Sequence, residues 1–240
     1  MYMIRTGKLP DNNMPIKAET KKAMASNWLF AFPELTVYEQ NKFYRIAGCV
    51  ILGLELIKLP RSEDYRPHFV IYPLWEEDPE KCLEVTIVLR EFYTKKNLQF
   101  SIPYESQSPI FSEALISVGE QMPILSYKDV SIAQLLAVME SYAQKSPLRA
   151  ATNSFHQAKF REAFLKINLY KGRVETEALY REIVGINWNK SHFKAYGVDV
   201  DEWLLKLREV INRREDFLRQ IEQNKLDKKI GRLSWSELRD

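Results

Sequence analysis

The sequence predicts an α+β protein, with a short antiparallel sheet and a leading helix in the N-terminal half and an all-helical C-terminal half that ends in a long helix. Two observations predict this fold class. Apolar residues tend to alternate with a period of two between about residues 43 and 104, which is typical of half-buried strands. After Pro109 they recur every three or four positions instead, which indicates helices packed on a core.

The change of period also divides the chain. We expect a sheet-containing α+β part over residues 1–120 and an all-helical part over residues 121–240, packed as one structural unit. A chain of 240 residues can form one large domain or two small ones, and 45% hydrophobic with 28% charged residues is an ordinary globular composition.

The leading helix is predicted over about residues 16–30. Pro15 precedes it, and proline suits the first turn of a helix. Pro33 ends it, because proline disfavours a helical conformation in the residue before it. Met24 and Trp28 are four residues apart, so they are expected on one buried face.

Residues 43–59 are rich in aliphatic and aromatic side chains and are predicted to form one long strand or two consecutive ones. Gly48 and Gly53 interrupt them, and glycines inside a strand indicate bulges or close backbone contacts. Residues 83–89 alternate as a strand does, although the preceding Asp78-Pro79-Glu80 is also typical of a helix start. Further strands are predicted over residues 68–72 and 98–102, with turns over residues 60–67 and 95–97. Short connections favour an antiparallel meander.

The C-terminal half contains helical patterns separated by capping residues. Helices are predicted over about residues 111–118, 131–142, 152–170 and 175–184. The last and longest begins at Asp199, with Glu202 at the spacing of a capping box, and continues to about Leu226, spanning roughly 40 Å. Its apolar stripe is wider than a coiled-coil seam, so we expect it to pack along the molecule rather than form a dimer zipper. Ile230, Leu233 and Trp235 are expected to dock the tail.

Cysteine usage and the N-terminus predict a cytoplasmic protein. Cys49 and Cys82 are isolated in the sequence, and neither a disulfide framework nor a metal site can be built from them, which favours a reducing compartment. The first residues lack the apolar core of a signal peptide. The longest apolar run, residues 46–57, is well short of the ~20 residues that span a bilayer, so we expect no membrane contact.

The sequence carries no recognisable catalytic or cofactor motif. Gly48 and Gly53 have the gap of a phosphate-binding loop, but Leu54-Glu55 stands where a lysine and a hydroxyl residue are required. Cys49 is expected to be a buried thiol with a raised pKa, although a pair with His68 on a neighbouring strand is geometrically possible. The histidines are far apart in sequence, so we expect no bound metal and no cofactor.

Charge is distributed unevenly, although the net charge is only +3. Residues 141–174 contain seven basic residues and one acid, Glu162, whereas residues 76–80 form an acidic segment. The basic stretch contains the candidate partner-binding residues Phe155, Lys159, Arg161, Lys166 and Arg173. On a helix, Phe155, Lys159 and Lys166 share one side. An aromatic ring beside two lysines can contact an acidic partner or stack on a base, and a simple solvated face is the alternative.

The sequence therefore favours a non-catalytic intracellular protein-binding protein, such as an adaptor, an inhibitor or an immunity-type protein. We expect it to dock an acidic partner through the basic helical face. The first alternative is a nucleic-acid-binding protein that uses residues 145–173, against which the small net charge counts. The second is an enzyme whose site assembles only in space.

Overall fold

The computed structural model of the chain describes residues 17–104, 109–145 and 147–240. The helices are α1 (Ala18–Ala31), α2 (Pro109–Gln121), α3 (Ile132–Lys145), α4 (Phe155–Lys171), α5 (Glu175–Val184), α6 (Lys190–Ala195), α7 (Val200–Asn212) and α8 (Arg214–Lys225). The strands are β1 (Thr36–Glu39), β2 (Lys42–Ala47), β3 (Val50–Lys58), β4 (Asp64–Pro73), β5 (Val88–Glu91), β6 (Ile102–Pro103), β7 (Val130–Ser131), β8 (Ser234–Ser236) and β9 (Leu238–Arg239). The predicted α+β class, with a leading helix before an antiparallel sheet, is confirmed.

The sheet is a meander in which β1 to β5 lie side by side in chain order and pair antiparallel. Of the two alternatives for residues 43–59, the pair of consecutive strands is correct, because β2 and β3 form a hairpin. Gly48 lies in its turn with φ 55°, a left-handed conformation that glycine adopts without steric cost. Pro73 ends β4 as predicted, but β4 begins at Asp64, so the preceding turn is shorter than residues 60–67.

One face of the sheet is covered by the first two helices. Met24 and Trp28 of α1 are buried, as predicted. The Trp28 indole N–H donates to the Tyr65 hydroxyl of β4 over 3.0 Å, and its ring lies edge-on to Phe111 of α2. Burial of such large rings supplies much of the hydrophobic stabilisation of this layer. The helix start predicted at Pro15 lies outside the described residues.

The strand predicted over residues 83–89 is mostly wrong. The Asp78 carboxylate accepts a hydrogen bond from the Lys81 backbone N–H over 3.0 Å and folds the chain into a short 3-10 turn. That turn buries Cys82, and the chain joins the sheet only from Val88 onward. The hydrogen bond between the Asp78 side chain and the backbone therefore determines the local conformation here, in spite of the period-two pattern of apolar residues.

The predicted loop at residues 95–97 is present, but the strand expected after it is almost absent. Asn97 has φ 57°, and the Thr94 backbone N–H donates to the Leu98 carbonyl across the turn. Beyond the turn, the chain pairs only at one isolated bridge and at β6.

Most of the helices predicted in the C-terminal half are confirmed. Ser131 accepts from the Gln134 backbone N–H before α3, which is an N-cap. Gly172 ends α4 with φ 68°, the left-handed conformation common at helix C-termini. Helix α6 was not predicted, because its six residues are too few to show a helical period.

The long C-terminal helix is instead two helices, so that prediction is wrong. Asp199 caps α7 as predicted, but the helix breaks at Arg213. The next residue, Arg214, donates from its guanidinium to the Leu169 and Tyr170 carbonyls over 2.7 and 2.8 Å. These carbonyls belong to the last turn of α4, where the Leu169 carbonyl also accepts from the Gly172 backbone N–H, so the break lets one side chain add a hydrogen bond to each of them.

The C-terminal half is also not entirely helical. Strand β8 pairs in parallel with β2, and β7 pairs with β9. The buried Arg45 guanidinium donates to the Ser236 hydroxyl over 3.0 Å and stabilises the pairing of β8 with β2. Ile230 and Leu233 are buried, so the tail docks as predicted, but Trp235 remains 67% exposed. Strands of two or three residues are too short to carry a recognisable alternation.

Two clusters of buried side chains hold these elements together. The larger contains residues from the sheet and from helices of both halves, including Ile167 of α4 and Ile221 of α8. The smaller lies among α4, α5, α6 and α7 and includes Trp188 and Trp203. The division at residue 120 stays a prediction. In the described part of the chain, none of the helices combines the length and the apolar character needed to cross a membrane.

Candidate functional site

Helix α4 carries most of the predicted partner-binding residues, and both clusters of buried side chains contact it. Phe160 and Ile167 pack into the larger cluster, while Ala158 and Leu165 pack into the smaller one. Because neighbours cover α4 on these sides, only part of its basic side chains can reach a partner. The predicted basic helical face is therefore much narrower than a helical projection suggests.

Both lysines of that face, Lys159 and Lys166, form ion pairs with Glu162, the only acid of the basic stretch. The buried Glu162 carboxylate lies 2.8 Å from the Lys159 ammonium and 2.6 Å from the Lys166 ammonium. It also accepts a hydrogen bond from the indole N–H of Trp203 over 2.9 Å. Burial alone would raise the pKa of Glu162, but the two lysines outweigh burial and hold that pKa well below its usual range.

The two lysines differ in exposure. Lys166 keeps only 11% of its side chain exposed, and its ammonium lies 5.6 Å from the ring centroid of Trp75. It therefore connects α4 to the sheet side of the molecule and is not available as a free contact. Lys159 keeps 49% of its side chain exposed, so it can contact another molecule while bound to Glu162.

The two arginines of the predicted site lie elsewhere. Arg161 is half-buried, and its Nε has no hydrogen-bond partner among the residues that the structure describes. Arg173 follows the C-terminal end of α4 and donates from two guanidinium nitrogens to Glu175. Because α4 is about 25 Å long, Arg173 and Phe155 are at opposite ends of it. The five predicted residues do not form one contiguous surface.

Phe155, by contrast, lies at the centre of an aromatic cluster that the sequence did not reveal. Its ring stacks on Tyr196 with 4.7 Å between centroids and lies edge-on to Phe193 of α6. The rings of His156 and His192 flank Tyr196 at 5.1 and 5.3 Å. We name Phe155, His156, Lys159, His192 and Tyr196 the α4–α6 surface.

Local capping brings these rings together. The Ser154 hydroxyl caps α4, and the Asn189 side chain caps α6 by accepting from the His192 backbone N–H. The His192 ring then accepts at Nδ1 from the Phe155 backbone N–H over 2.9 Å. That N–H belongs to the first turn of α4, where backbone donors lack intrahelical acceptors. One imidazole therefore joins the starts of two helices.

This hydrogen bond defines what His192 can do. A ring nitrogen that accepts from a backbone N–H is unprotonated, so in neutral His192 the proton is on Nε2. Nε2 is then a hydrogen-bond donor, not a metal ligand. Among the described residues, no group of three or more His, Cys, Asp or Glu side chains is placed to hold a metal ion.

The α4–α6 surface thus combines an N–H donor, an ammonium group and a partly exposed aromatic ring. Tyr196 is 49% exposed, and its hydroxyl lies 3.4 Å from Nε2 of His156. Among the described residues, no carboxylate forms an ion pair with either histidine of this surface. Such an arrangement can accept an acidic or hydrogen-bond-accepting group from another molecule.

Two other predictions about reactive residues can be compared with the structure. Cys49 is fully buried, and burial raises the pKa of its thiol well above its usual range, as expected. His68 pairs across the sheet with Glu55, several residues along β3 from Cys49, so the two do not form a Cys–His pair. Burial also raises the pKa of the Cys82 thiol, to about 11.

Part of the α4–α6 surface had a signal in the sequence. Asn189 precedes His192 at the spacing of an N-cap, and Gly197, with φ 69°, marks the end of that short helix. His192 and Tyr196 are four residues apart and so share one side of it. No family model matches the chain, and no curated protein and no solved structure matches it either.

Proposed function

We propose that the chain is a non-catalytic intracellular protein-binding protein, of the adaptor, inhibitor or immunity type, that docks an acidic segment of another protein on the α4–α6 surface. The observation that carries this proposal is the gathering of His156, His192 and Tyr196 around Phe155. These side chains come from two helices that are far apart in sequence.

The chemistry of the surface favours an acidic partner. The Nε2–H of His192 and the ammonium of Lys159 are both suited to a carboxylate, because hydrogen bonds to a charged acceptor are stronger than neutral ones. Tyr196 adds an aromatic ring of the kind that concentrates binding energy at protein interfaces. Positive charge around it would speed the encounter with an acidic partner.

Tyr196, rather than Phe155, is the aromatic contact in this proposal. Phe155 is half-buried beneath Tyr196 and packs against the fully buried Phe193. We therefore expect Phe155→Ala to lower the stability of the second cluster, which makes it unsuitable as a test of binding. Tyr196 is half-exposed, so its side chain can be removed at smaller cost to the fold.

The charges outside the α4–α6 surface favour a protein over a nucleic acid as partner. Lys166 is bound to Glu162, Lys171 to Asp240 and Arg173 to Glu175. Nucleic-acid binding requires several unpaired cations arranged along a phosphate backbone. The basic stretch therefore offers a local docking surface and not a continuous basic track.

An intracellular location is part of the proposal. Both cysteines are free and buried, and burial raises both thiol pKa values. Free buried thiols without disulfides are usual in proteins of reducing compartments.

Tyr196→Ala is expected to weaken partner binding by about 1–3 kcal/mol, mostly through faster dissociation. Lys159→Gln is expected mainly to slow association and to reduce its dependence on salt. The full chain is immobilised, its partner is captured from nuclease-treated extract of the native host, and the rates are measured by surface plasmon resonance. Thermal melts of each variant establish that the fold is retained.

Lys194→Gln is the matched control. It removes a lysine charge, as Lys159→Gln does, and it lies on α6, the helix that ends at Tyr196. Lys194 is exposed, has no ion pair among the described residues and lies on the other side of α6 from His192 and Tyr196. It is expected to leave binding unchanged. Equal binding by all three variants would contradict the proposed surface. A partner that is lost on nuclease treatment would favour the nucleic-acid alternative.

A further inference from the structure

A row of polar side chains crosses the sheet on a different part of the molecule. Lys42, Glu55, His68 and Glu91 are cross-strand neighbours on β2, β3, β4 and β5, so they lie side by side on one face. All four are incompletely buried. The rest of this face is mostly covered near the hairpin turn and becomes exposed toward Ile57, which is 38% exposed.

Two buried tyrosines hold Glu55 in a defined position. The Tyr44 and Tyr72 hydroxyls both donate to the same carboxylate oxygen, Oε1 of Glu55, the second over 2.7 Å. Burial, together with the neighbouring carboxylate, raises the pKa of both hydroxyls well above their usual range. Both therefore remain protonated donors, and the second oxygen of Glu55, Oε2, has no hydrogen-bond partner among the described residues.

The backbone defines the tautomer of His68 in a similar way. Nδ1 of His68 lies 3.2 Å from the Arg66 carbonyl oxygen. A carbonyl can only accept, so Nδ1 carries the proton and Nε2 presents a lone pair. Burial lowers the pKa of His68, which favours this neutral form. His68 therefore contributes a second acceptor beside Glu55.

The cations nearest to these two acceptors are bound elsewhere. The Lys42 ammonium lies 3.7 Å from Glu39, and the Arg66 guanidinium lies 3.2 Å from Glu91. Neither forms an ion pair with Glu55 in the described part of the chain. The row thus presents Oε2 of Glu55 and the Nε2 lone pair of His68 on adjacent strands, and within the described part of the chain no side chain donates to either atom.

We propose that Glu55 and His68 form a binding site for an ammonium or guanidinium group carried on an alkyl chain. The cationic head donates to Oε2 of Glu55 and to Nε2 of His68. Ile57 follows Glu55 by two residues on the same face of β3, is 38% exposed, and contacts the alkyl chain. The site is separate from the α4–α6 surface and selects the opposite charge, so it goes beyond the proposed function.

Nuclear magnetic resonance of the full chain tests this site directly, because the chain contains three histidines and therefore few imidazole signals. The probes are butylguanidinium and butylammonium chloride, with tetramethylammonium chloride as a cation that has no N–H donor. We expect a saturable shift of the His68 Hε1 signal with the first two and none with the third. The signals of His156 and His192 should not change.

Glu55→Gln should weaken butylguanidinium binding about tenfold or more, because it removes the charged acceptor. Glu140→Gln, an exposed position on α3, is the matched control and should bind like the wild type. Saturable binding that survives Glu55→Gln, or shifts shared equally by all three histidines, would overturn the proposal. If Glu55→Gln does not fold, nuclear Overhauser effects from the butyl chain to the Ile57 methyl groups decide, and their absence overturns it.

A last comparison distinguishes the source of the cation. An arginine-containing peptide that binds much more tightly than butylguanidinium would identify a basic protein segment as the ligand. Equal affinity for both would identify a small alkylamine or alkylguanidine. No binding of any N–H cation would overturn the site.

Discussion

Gly53→Ala is expected to lower the free energy of unfolding by at least about 4 kcal/mol. A Cβ atom at residue 53 would lie 2.0 Å from the Phe43 carbonyl oxygen and 2.8 Å from the Cα of Tyr44. Both are backbone atoms of β2, which cannot move aside as the end of a flexible side chain can. The hairpin of β2 and β3 would have to separate, and the residues around it are fully buried.

Gly119→Ala on α2 is the matched control, because a Cβ there meets nothing within 4 Å. Alanine is favoured over glycine inside a helix by about 1 kcal/mol, so this variant should be slightly more stable than the wild type. Urea denaturation followed by circular dichroism measures both. If Gly53→Ala stays within about 1 kcal/mol of the wild type, the close contact between the two strands does not constrain the fold.

The outcome at Gly53 illustrates what can be predicted from a sequence pattern. A glycine inside an apolar run indicates a close backbone contact, and the structure places Gly53 against β2. The partner of that contact depends on the hairpin register, which the pattern does not specify. For the same reason the row of Lys42, Glu55, His68 and Glu91 could not be predicted, because it exists only through the registers of three strand pairs.

The basic helical face shows a second limit of structure prediction from a sequence pattern. A helical projection correctly places Phe155, Lys159 and Lys166 on one side of α4. It does not show that Trp203 of α7 approaches the same side, because contacts between helices depend on their packing and not on their period. One signal was present in the sequence, since Glu162 is the lone acid of the stretch and lies three and four residues from the two lysines.

Short elements account for most of the remaining errors. Helix α6 and strand β8 contain too few residues for a period, and only their capping and docking residues could have indicated them. His156 and His192 lie far apart in sequence, so their proximity depends on where α6 docks against α4. The fold class is therefore largely predictable from this sequence, whereas the α4–α6 surface is not.

Glu162→Gln is expected to destabilise the protein by about 3–5 kcal/mol, the range typical of removing one partner of a buried ion pair. The Lys166 ammonium would remain almost buried, with 11% of its side chain exposed, and would lose its counter-charge. The Trp203 indole would also lose a charged acceptor. Glu182→Gln on the exposed side of α5 is the control and should change the stability by less than about 0.5 kcal/mol.

The same carboxylate should make stability depend on pH. Its folded-state pKa is held below the unfolded value of 4.5, so the unfolded chain binds the proton more tightly. The stabilisation is therefore complete above about pH 4.5 and is lost as the pH falls below that value toward the folded-state pKa. In urea titrations at decreasing pH, the wild type should lose stability more steeply than Glu162→Gln, which has no carboxyl group to protonate at this position.

A second substitution separates the loss of the ion pair from a loss of packing. Lys166→Met removes the cation that Glu162→Gln leaves without a counter-charge and keeps a long apolar side chain beside Trp75. The double variant should therefore be more stable than Glu162→Gln alone, even though it contains more changes. Additive losses in the double variant would show that the two side chains act independently. In that case Lys166 would contribute through packing, and the charge of Glu162 would be satisfied by Lys159 and Trp203 alone.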